Sequence, residues 1–484
     1  MTKEMRRLSI VMLFMFLSLF VATSWIQVVQ ADTLAQTDHN TRSLLDSYEI
    51  QRGSIIAGGT PIATSVASDD EFQYQRVYTD SPMWSSITGF YNPALQSSTG
   101  IENALNADLS GTGANAFFSE IERIVSGQPQ RGFSVEVSLD PVAQRAAYEA
   151  LGNLEGAAVA IEPSTGRILA MVSTPGYDAN QIAVHSASQA EGAYNALDEL
   201  KPNPLINAAT SEVYAPGSTF KILVAAAAYA TGEWTPESKL PNPARYTLPG
   251  TSTQISNAWG GTCGSGDTVT ISDAIKLSCN IPMAELAVEL GNSTIFEMAE
   301  KFGFNQSFET PLKTAVSSYP RGLSADQTAQ TGYGQSEVTA TPLQVAMISA
   351  GLANDGLVMK PRLVDAVIGE DLSTVREYAN EELGRAVEAE VADDVTAAMV
   401  ASVADGAAQG ARIDGIDVAG KTGTAENDGD EPYTLWFTGF APADDPQIAV
   451  AVVVDNGGGM GQSGSGDTLA APIAKKIIEA VLNR

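Results

Sequence analysis

Ser218 and Lys221 stand three residues apart at the start of an apolar, alanine-rich stretch. Pro216 and Gly217 precede them as a turn sequence, so we expect Ser218 at the N-terminus of a helix and Lys221 one turn later on the same face. A hydroxyl beside an amine whose pKa is lowered by burial could act as nucleophile and general base. This S-x-x-K spacing alone is weak evidence, because a chain of 484 residues will often contain it by chance.

A second polar group consists of Ser278 and Asn280, separated by Cys279. They end a predicted helical stretch that begins at Ser272 and would bring a hydroxyl and a carboxamide together at a loop. On its own this pair is weaker evidence of catalysis than the first group.

A third group is Lys421, Thr422, Gly423 and Thr424, within a predicted strand. Gly423 leaves the strand without a side chain there, so the backbone of a substrate could lie against it. The lysine and the two threonines supply a cation and hydroxyl donors for a carboxylate. The segment therefore indicates a binding site for a peptide end.

Residues 415–422 also match the G-x-x-x-x-G-K-[ST] pattern of nucleotide-binding P-loops. A P-loop needs a buried strand before its first glycine and a helix after the Lys-Thr pair. Here the polar residues 407–414 precede the pattern, and residues 429–432 interrupt the segment after it. We reject the nucleotide-binding interpretation.

Composition excludes several other classes of function. The 57 acidic residues against 27 basic ones give a formal net charge of −30, which repels nucleic acids and anionic lipids. Only His39 and His185 could serve a Ser-His-Asp triad, and neither lies near a recognisable nucleophile or acidic partner. None of the histidines and cysteines has a metal-ligand spacing to another. We expect a catalyst without histidine, metal or other cofactor.

The N-terminal segment predicts a membrane anchor. No charged residue occurs between Arg7 and Asp32, and this apolar stretch can span ~30 Å of hydrocarbon as a helix. Lys3, Arg6 and Arg7 precede it, so the positive-inside rule places the N-terminus in the cytoplasm and the rest outside. The alternative is a signal peptide cleaved after Ala31, although the apolar run is longer than a usual signal sequence. Both interpretations export the body of the chain.

Export permits a disulfide, and Cys263 and Cys279 are the one possible pair in the sequence. Such a bond would remove roughly 3 kcal/mol of unfolded-chain entropy in the simple loop model. The alternative is two buried free thiols. We predict the bridge, which would tether the loop that carries Ser278 and Asn280.

The pattern of elements divides the chain into three parts. Residues 1–31 form the cytoplasmic tip and anchor, 32–133 a small irregular domain, and 134–484 the main domain. In the main domain we predict a helix opened by Asp140-Pro141, and a hairpin around the turn at 163–166. A helix-rich middle comes next, and then strands at 435–441 and 448–455 and a last helix at 470–482. This order indicates an α+β fold.

Taken together, S-x-x-K, S-x-N and K-T-G occur in the order typical of serine penicillin-recognising enzymes. The sequence resembles the class B penicillin-binding proteins, most closely their short actinobacterial type, over almost the entire chain. Further segments carry the resemblance: 52–55, 100–102, 156–175, 214–221, 334–335, 341–344 and 436–442.

The resemblance implies a pedestal domain before a transpeptidase domain with an antiparallel five-stranded sheet, flanking helices and an all-helical subdomain. Ser218 would attack the carbonyl between two terminal D-alanines of a peptidoglycan stem peptide, and Lys221 would take its proton. Ser278 would pass a proton to the leaving group, and Asn280 would hold the peptide and Lys221.

By the same resemblance Lys421, Thr422 and Thr424 would bind the terminal carboxylate of the peptide. The backbone N–H groups of Ser218 and Thr424 would form an oxyanion hole. β-Lactams would acylate the same serine as mimics of the dipeptide.

The chain has no E-x-x-L-N-like element after S-x-N, which favours a transpeptidase over a β-lactamase. The region between anchor and main domain is too short for a glycosyltransferase domain. The resemblance therefore implies a SEDS-type glycosyltransferase as partner, lipid-linked precursors as substrates, and no nucleic acid. Alternatives are a D,D-carboxypeptidase, or an idle site in a wall-assembly scaffold or β-lactam sensor.

Overall fold

The structure is a computed structural model that describes residues 3–28, 48–70, 72–112, 130–308, 310–427 and 429–483. The predicted cleavage site at Ala31 and the histidine His39 lie outside these residues. Helix α1 spans Lys3–Val28. Among the described residues it is the one helix long and apolar enough to cross a membrane, and its apolar window is not buried against the rest of the protein.

The next part of the chain forms short strands and helices. They are β1 (Ile55–Ala57), β2 (Thr60–Ala67), β3 (Tyr74–Tyr78), α2 (Ser81–Thr88), β4 (Tyr91–Asn92), β5 (Ser97–Ser98), α3 (Gly100–Ala104), α4 (Asn106–Leu109) and β6 (Ser134–Val137).

The segment up to the end of the helix-rich middle contains longer helices. Its elements are α5 (Pro141–Leu151), β7 (Gly156–Ile161), β8 (Ile168–Thr174), α6 (Ala187–Asp198), α7 (Ala208–Ser211), α8 (Lys221–Ala230), β9 (Lys239–Pro241), β10 (Tyr246–Thr247), β11 (Gln254–Ile255), β12 (Thr268–Thr270), α9 (Ile271–Lys276), α10 (Ile281–Lys301), α11 (Ala325–Thr331) and α12 (Pro342–Ala353). Short 3-10 turns lie at Ala179–Gln181 and Gly217–Phe220.

The last part returns to strands and ends in a helix. Its elements are β13 (Leu357–Met359), β14 (Val364–Ile368), β15 (Thr374–Glu377), β16 (Glu382–Arg385), α13 (Ala389–Asp405), β17 (Ala419–Ala425), β18 (Thr434–Ala441), β19 (Ile448–Val454) and α14 (Ala470–Leu482), with 3-10 turns at Gln409–Ala411, Asn456–Gly459 and Gly461–Ser463.

The first sheet has six strands in the order β15-β14-β6-β1-β2-β3. β6 begins just after residue 133, where we predicted the domain boundary, yet it pairs in parallel with β1. β14 and β15 come from much later in the chain and extend the same sheet. This sheet is therefore built from segments that are distant in sequence.

The second sheet is antiparallel, with five strands in the order β17-β18-β19-β7-β8. Every residue of β7, β8, β18 and β19 is buried, because helices cover both faces of this sheet. This is why these four strands are mostly apolar along their length instead of alternating. The predicted hairpin is confirmed by the pairing of β7 with β8.

Two predicted helices pack on one face of this sheet. α5 begins after Asp140, whose carboxylate accepts hydrogen bonds from the N–H groups of Val142 and Ala143 at 2.8 and 3.1 Å, as an N-cap should. α14 covers the residues predicted for the last helix. On the opposite face lies α12, which is almost wholly buried. The equally buried α8 packs against α10 and α13. The edge strand β17 lies beside the turn that leads into α8.

Candidate active site

The turn before α8 presents Ser218. Residues 217–220 form a 3-10 turn that runs directly into α8 at Lys221. Because residues i and i+3 of a 3-10 helix eclipse, Ser218 and Lys221 lie on one side. Gly217 has a φ of 54°, which favours glycine, and its N–H donates to the carbonyl oxygen of Gly334 at 2.9 Å. Ser218 itself stays half-buried.

Lys221 is fully buried, with 0% of its surface exposed. Its Nζ donates to the carbonyl oxygen of Ser278 and to Oδ1 of Asn280, both at 2.8 Å. Burial, and then the nearby charge of Lys421, hold the pKa of Lys221 well below its ordinary value. A neutral amine has two N–H donors, which these two acceptors satisfy, so its lone pair is left for a proton.

Ser278 links the two lysines of the site. Its φ is 62°, uncommon for a residue other than glycine. With this backbone, its carbonyl oxygen accepts from Lys221 while its hydroxyl oxygen accepts from Nζ of Lys421 at 2.7 Å. Ser278 therefore uses its main chain for one lysine and its side chain for the other.

Lys421 is also fully buried. Besides Ser278, its Nζ donates to the carbonyl oxygen of Thr422 at 2.9 Å. Burial lowers the pKa of Lys421 to about 7. Both the ammonium and the neutral amine are therefore populated near neutral pH, and no carboxylate is among the groups that shift the pKa of either lysine.

The rest of the K-T-G-T segment lies on β17, the edge strand nearest the Ser218 turn. A Cβ atom on Gly423 would lie only 3.1 Å from the carbonyl oxygen of Pro216, so the strand and the turn approach closely. The hydroxyl of Thr422 donates to the carbonyl oxygen of Ala407 at 3.0 Å. Because a threonine side chain has one O–H donor, this hydroxyl cannot also donate to a bound carboxylate. Thr424 is half-buried.

The loop between α9 and α10 holds the Ser278–Asn280 segment. The predicted disulfide between Cys263 and Cys279 is present, with a Cα–Cα distance of 5.7 Å. Asn257, between β11 and β12, is 1% exposed. Its Oδ1 accepts from the backbone N–H groups of Asn280 and Ile281 at 2.8 and 3.1 Å. Sequence reasoning did not find Asn257, because no motif spacing connects it to S-x-N.

Trp436 supports the site from inside the protein. It pairs with Gly423 between β17 and β18, and its Nε1–H donates to the carbonyl oxygen of Ala215 at 3.0 Å. Its ring meets that of Tyr214 edge-on, with 5.9 Å between centroids. One buried indole therefore joins the K-T-G strand to the chain just before Ser218. The resemblance included residues 436–442, but the sequence did not predict this contact.

The other candidate chemistries do not form a site among the described residues. Within the described ranges no group of three or more histidine, cysteine, aspartate or glutamate side chains could hold a metal ion. His185 bonds to Asp70 and to the carbonyl oxygen of Tyr74 in the pedestal, away from Ser218. The P-loop-like residues 419–422 belong to strand β17, where a P-loop would have a loop and a helix.

Two family models match this chain. The penicillin binding protein transpeptidase domain matches residues 156–479. The penicillin binding protein A dimerisation domain matches residues 52–135.

Relatives are similar over the whole length. Peptidoglycan D,D-transpeptidase PbpA of Mycolicibacterium smegmatis is 39% identical, over 100% of this chain and 99% of that protein. The protein of the same name from Mycobacterium tuberculosis is 38% identical, with the same coverage. The structure of penicillin-binding protein A from M. tuberculosis as a ceftriaxone acyl-enzyme complex matches with a TM-score of 0.87 and 38% identity, covering 90% of this chain and 100% of that one.

Proposed function

This chain belongs to the penicillin-binding protein transpeptidase family, and on that premise we propose that it cross-links peptidoglycan stem peptides by acyl transfer through Ser218. The relatives named PbpA are peptidoglycan D,D-transpeptidases, and an M. tuberculosis relative forms acyl-enzymes with β-lactams. The observation that carries the assignment of residues is the fully buried Lys221 one turn after Ser218, whose pKa burial holds well below its ordinary value.

Lys221 is the general base. Its two N–H donors are held by Ser278 and Asn280, which orients the lone pair and keeps the side chain in one rotamer. As Ser218 Oγ attacks the carbonyl carbon of the penultimate D-alanine, its proton passes to Nζ of Lys221. Asn280 therefore acts by aiming the base, in addition to any contact with the peptide.

Ser278 delivers the proton to the leaving amine, and Lys421 orients its hydroxyl. Lys421 donates to the hydroxyl oxygen of Ser278, so the hydroxyl proton of Ser278 is free to point into the cleft. When the C–N bond of the tetrahedral intermediate breaks, the proton from Lys221 reaches the nitrogen of the departing D-alanine through Ser278. An ester between Ser218 and the shortened peptide remains.

The edge of β17 receives the peptide. Its outer backbone groups have no neighbouring strand among the described residues, because β17 ends the sheet. The N–H groups of Ser218 and Thr424 form the oxyanion hole, a feature usually worth ~3 to 4 kcal/mol per donor. Protonated Lys421 and the hydroxyl of Thr424 attract the terminal carboxylate. Thr422 contributes through its backbone, since its hydroxyl is already bonded to Ala407.

The second half of the reaction transfers the acyl group to an amine of a neighbouring stem peptide. That amine attacks the ester carbon, its proton goes to the base, and Ser218 leaves as the alcohol. Peptide bond formation thus replaces the bond broken in the first half, so no external energy source is needed outside the cell.

The anchor and the charge distribution support the location. α1 holds the protein in the membrane, and Lys3, Arg6 and Arg7 keep its N-terminus in the cytoplasm. The transpeptidase domain then faces the wall, where lipid-linked precursors and nascent strands occur. We further propose that a SEDS-type glycosyltransferase, docked on the anchor and pedestal, supplies the glycan strands that this chain does not polymerise.

The test is covalent labelling of the full-length protein in detergent with fluorescent penicillin. We expect stoichiometric labelling of the wild type and none of Ser218→Ala, together with release of D-alanine from a pentapeptide donor only when Ser218 is present. An unlabelled wild type would refute the enzymatic proposal. Restoration of growth of a depleted strain by Ser218→Ala would support the scaffold alternative instead.

A further inference from the structure

The strand that carries the K-T-G-T segment is confined on its cleft side by the Ser218 turn. A Cβ atom on Gly423 would lie 3.1 Å from the carbonyl oxygen of Pro216 and 3.1 Å from Cγ2 of Thr219. A Cβ atom on Gly217 would lie 3.2 Å from the N atom of Ala425 and 3.3 Å from the carbonyl carbon of Thr424. The turn and β17 therefore touch backbone to backbone, and neither can advance toward the other.

The opposite side of β17 is confined by Gly466. A Cβ atom on Gly466 would lie 2.2 Å from the carbonyl oxygen of Trp436, 2.5 Å from that of Gly423 and 3.2 Å from the N atom of Gly423. These are contacts with main-chain atoms, which cannot rotate aside as a side chain could. Gly466 does not have a left-handed φ, so the lack of space is what requires glycine here.

The segment around Gly466 cannot retreat either. The carbonyl oxygen of Gly466 accepts from the N–H of Ala471 at 2.8 Å, in the first turn of α14. Oδ1 of the next residue, Asp467, accepts from the N–H of Gly410 at 2.7 Å. A Cβ atom on Gly410 would lie 2.2 Å from the carbonyl oxygen of Asp467, so this contact is also at its closest approach.

We propose that Gly466 is a positioning residue for acylation. It lies on the side of β17 away from the Ser218 turn and fixes the distance between the Thr424 N–H on β17 and that turn. This inference rests on the proposed function, because the two N–H groups matter only if they bind the oxyanion of an acyl-transfer reaction. Gly466 does not touch the substrate. It acts through Gly423, whose backbone it holds against Pro216 and Thr219.

The experiment separates rate from folding. Full-length Gly466→Ala is mixed with saturating fluorescent penicillin, and the first-order acylation rate constant is measured together with the labelling amplitude. The rate constant describes each folded molecule, whereas the amplitude counts folded molecules. We expect the rate constant to fall on the order of 10- to 100-fold, as for other small misplacements of reacting groups, with a smaller change in penicillin dissociation constant.

The matched control is Gly464→Ala. Its added Cβ would lie 2.8 Å from Cδ1 of Leu435 and 2.9 Å from the carbonyl oxygen of Gly457. The substitution therefore crowds the segment that contains Gly466 without contacting β17. We expect a lower thermal midpoint and an unchanged acylation rate constant. The inference is overturned if Gly466→Ala behaves as this control does, losing amplitude or stability alone.

A second variant covers the case in which Gly466→Ala does not fold. Asp467→Ala removes the bond to the N–H of Gly410 and frees the segment to move back, without adding any atom. A severalfold slower acylation at full amplitude is expected, and wild-type kinetics would overturn the inference. Failure of the wild type to be labelled at all would instead reject the proposed function, so the two outcomes are distinguishable.

Discussion

The protein buries charged groups in two places, and the two differ in how the charges are neutralised. In the pedestal, Glu102 is 0% exposed, and its carboxylate forms ion pairs with Nε of Arg52 at 2.5 Å and Nε of Arg76 at 2.6 Å. In the candidate active site, Lys221 and Lys421 are equally buried but contact neutral oxygen atoms. One cluster has its opposite charges in place, and the other has two buried amines without a counterion among the described residues.

The pKa values respond accordingly. Burial alone would raise the pKa of Glu102, but the charges and hydrogen bonds of Arg76 and Arg52 outweigh it and hold that pKa below its ordinary value. Burial acts without such opposition on Lys221 and Lys421 and lowers their pKa values. A cluster whose buried charge has a counterion, here called compensated, stays charged and stabilises the fold. A cluster without a counterion, here called uncompensated, provides an amine that can accept a proton near neutral pH.

The largest expected effect comes from Lys221→Met, which removes the uncompensated base. The acylation rate constant for fluorescent penicillin should fall by about 10²- to 10⁴-fold, the usual contribution of a general base. The free energy of unfolding should change by no more than ~1 to 2 kcal/mol, because loss of a buried ionisable group offsets two unsatisfied acceptors. Stopped-flow labelling and urea unfolding measure the two quantities.

The control for this variant is Lys276→Met. Lys276, on α9, forms an ion pair with Asp405 nearer the surface. Its acylation rate should equal that of the wild type. If Lys221→Met were instead strongly destabilised and its folded fraction still acylated rapidly, the distinction between the two clusters would be wrong.

The reverse pattern is expected for Glu102→Gln in the compensated cluster. Removing the carboxylate leaves two buried guanidinium groups without their counterion, which should cost about 3 to 5 kcal/mol of stability. The acylation rate constant of the folded molecules should not change, because Glu102 lies in the pedestal. Urea unfolding and labelling kinetics on the same sample test both statements.

Asp80→Asn is the matched control for Glu102→Gln. Asp80 pairs with Arg145, and both side chains are more than half exposed, so the loss should be at most ~1 kcal/mol. Equal destabilisation by both variants would contradict the interpretation of Glu102 as the counterion of a buried cluster.

Features that depend on residues close together in the chain could be predicted from the sequence. The motif residues Ser218, Lys221, Ser278 and Lys421 have fixed spacings within short segments, and the resemblance assigns their order. Helix and strand boundaries near Asp140 and in β18, β19 and α14 follow from local caps and apolar runs. These features depend on neighbours in sequence, so they can be read from it.

Contacts between distant segments could not be predicted in this way. The resemblance marked residues 52–55 and 100–102 separately, but not that Arg52 and Glu102 meet. Asn257 carries no motif, and the close approach of Gly466 to Gly423 depends on the packing of α14 behind the sheet. The addition of β14 and β15 to the pedestal sheet likewise depends on tertiary pairing of strands far apart in the chain.

The smallest effect expected is a pH dependence that only the uncompensated cluster should show. In the proposed mechanism Lys421 must be protonated to attract a carboxylate, and burial lowers its pKa to about 7. Between about pH 6 and about pH 8 the protonated fraction, and with it the second-order acylation rate constant, should fall about tenfold. Glu102, whose pKa lies below its ordinary value, stays ionised throughout this range and contributes no titration.

Stability should change in the opposite direction over the same range. Since the lowered pKa of Lys421 lies below that of an unfolded lysine, the unfolded chain binds more protons above about pH 7, and stability rises with pH there. Lys421→Arg keeps its charge at every accessible pH, so its acylation, although slower, should lose the decline. A decline of the same size in Lys421→Arg would show that another group titrates, and a wild-type rate that stays level would mean that Lys421 is not the uncompensated cation that binds the substrate.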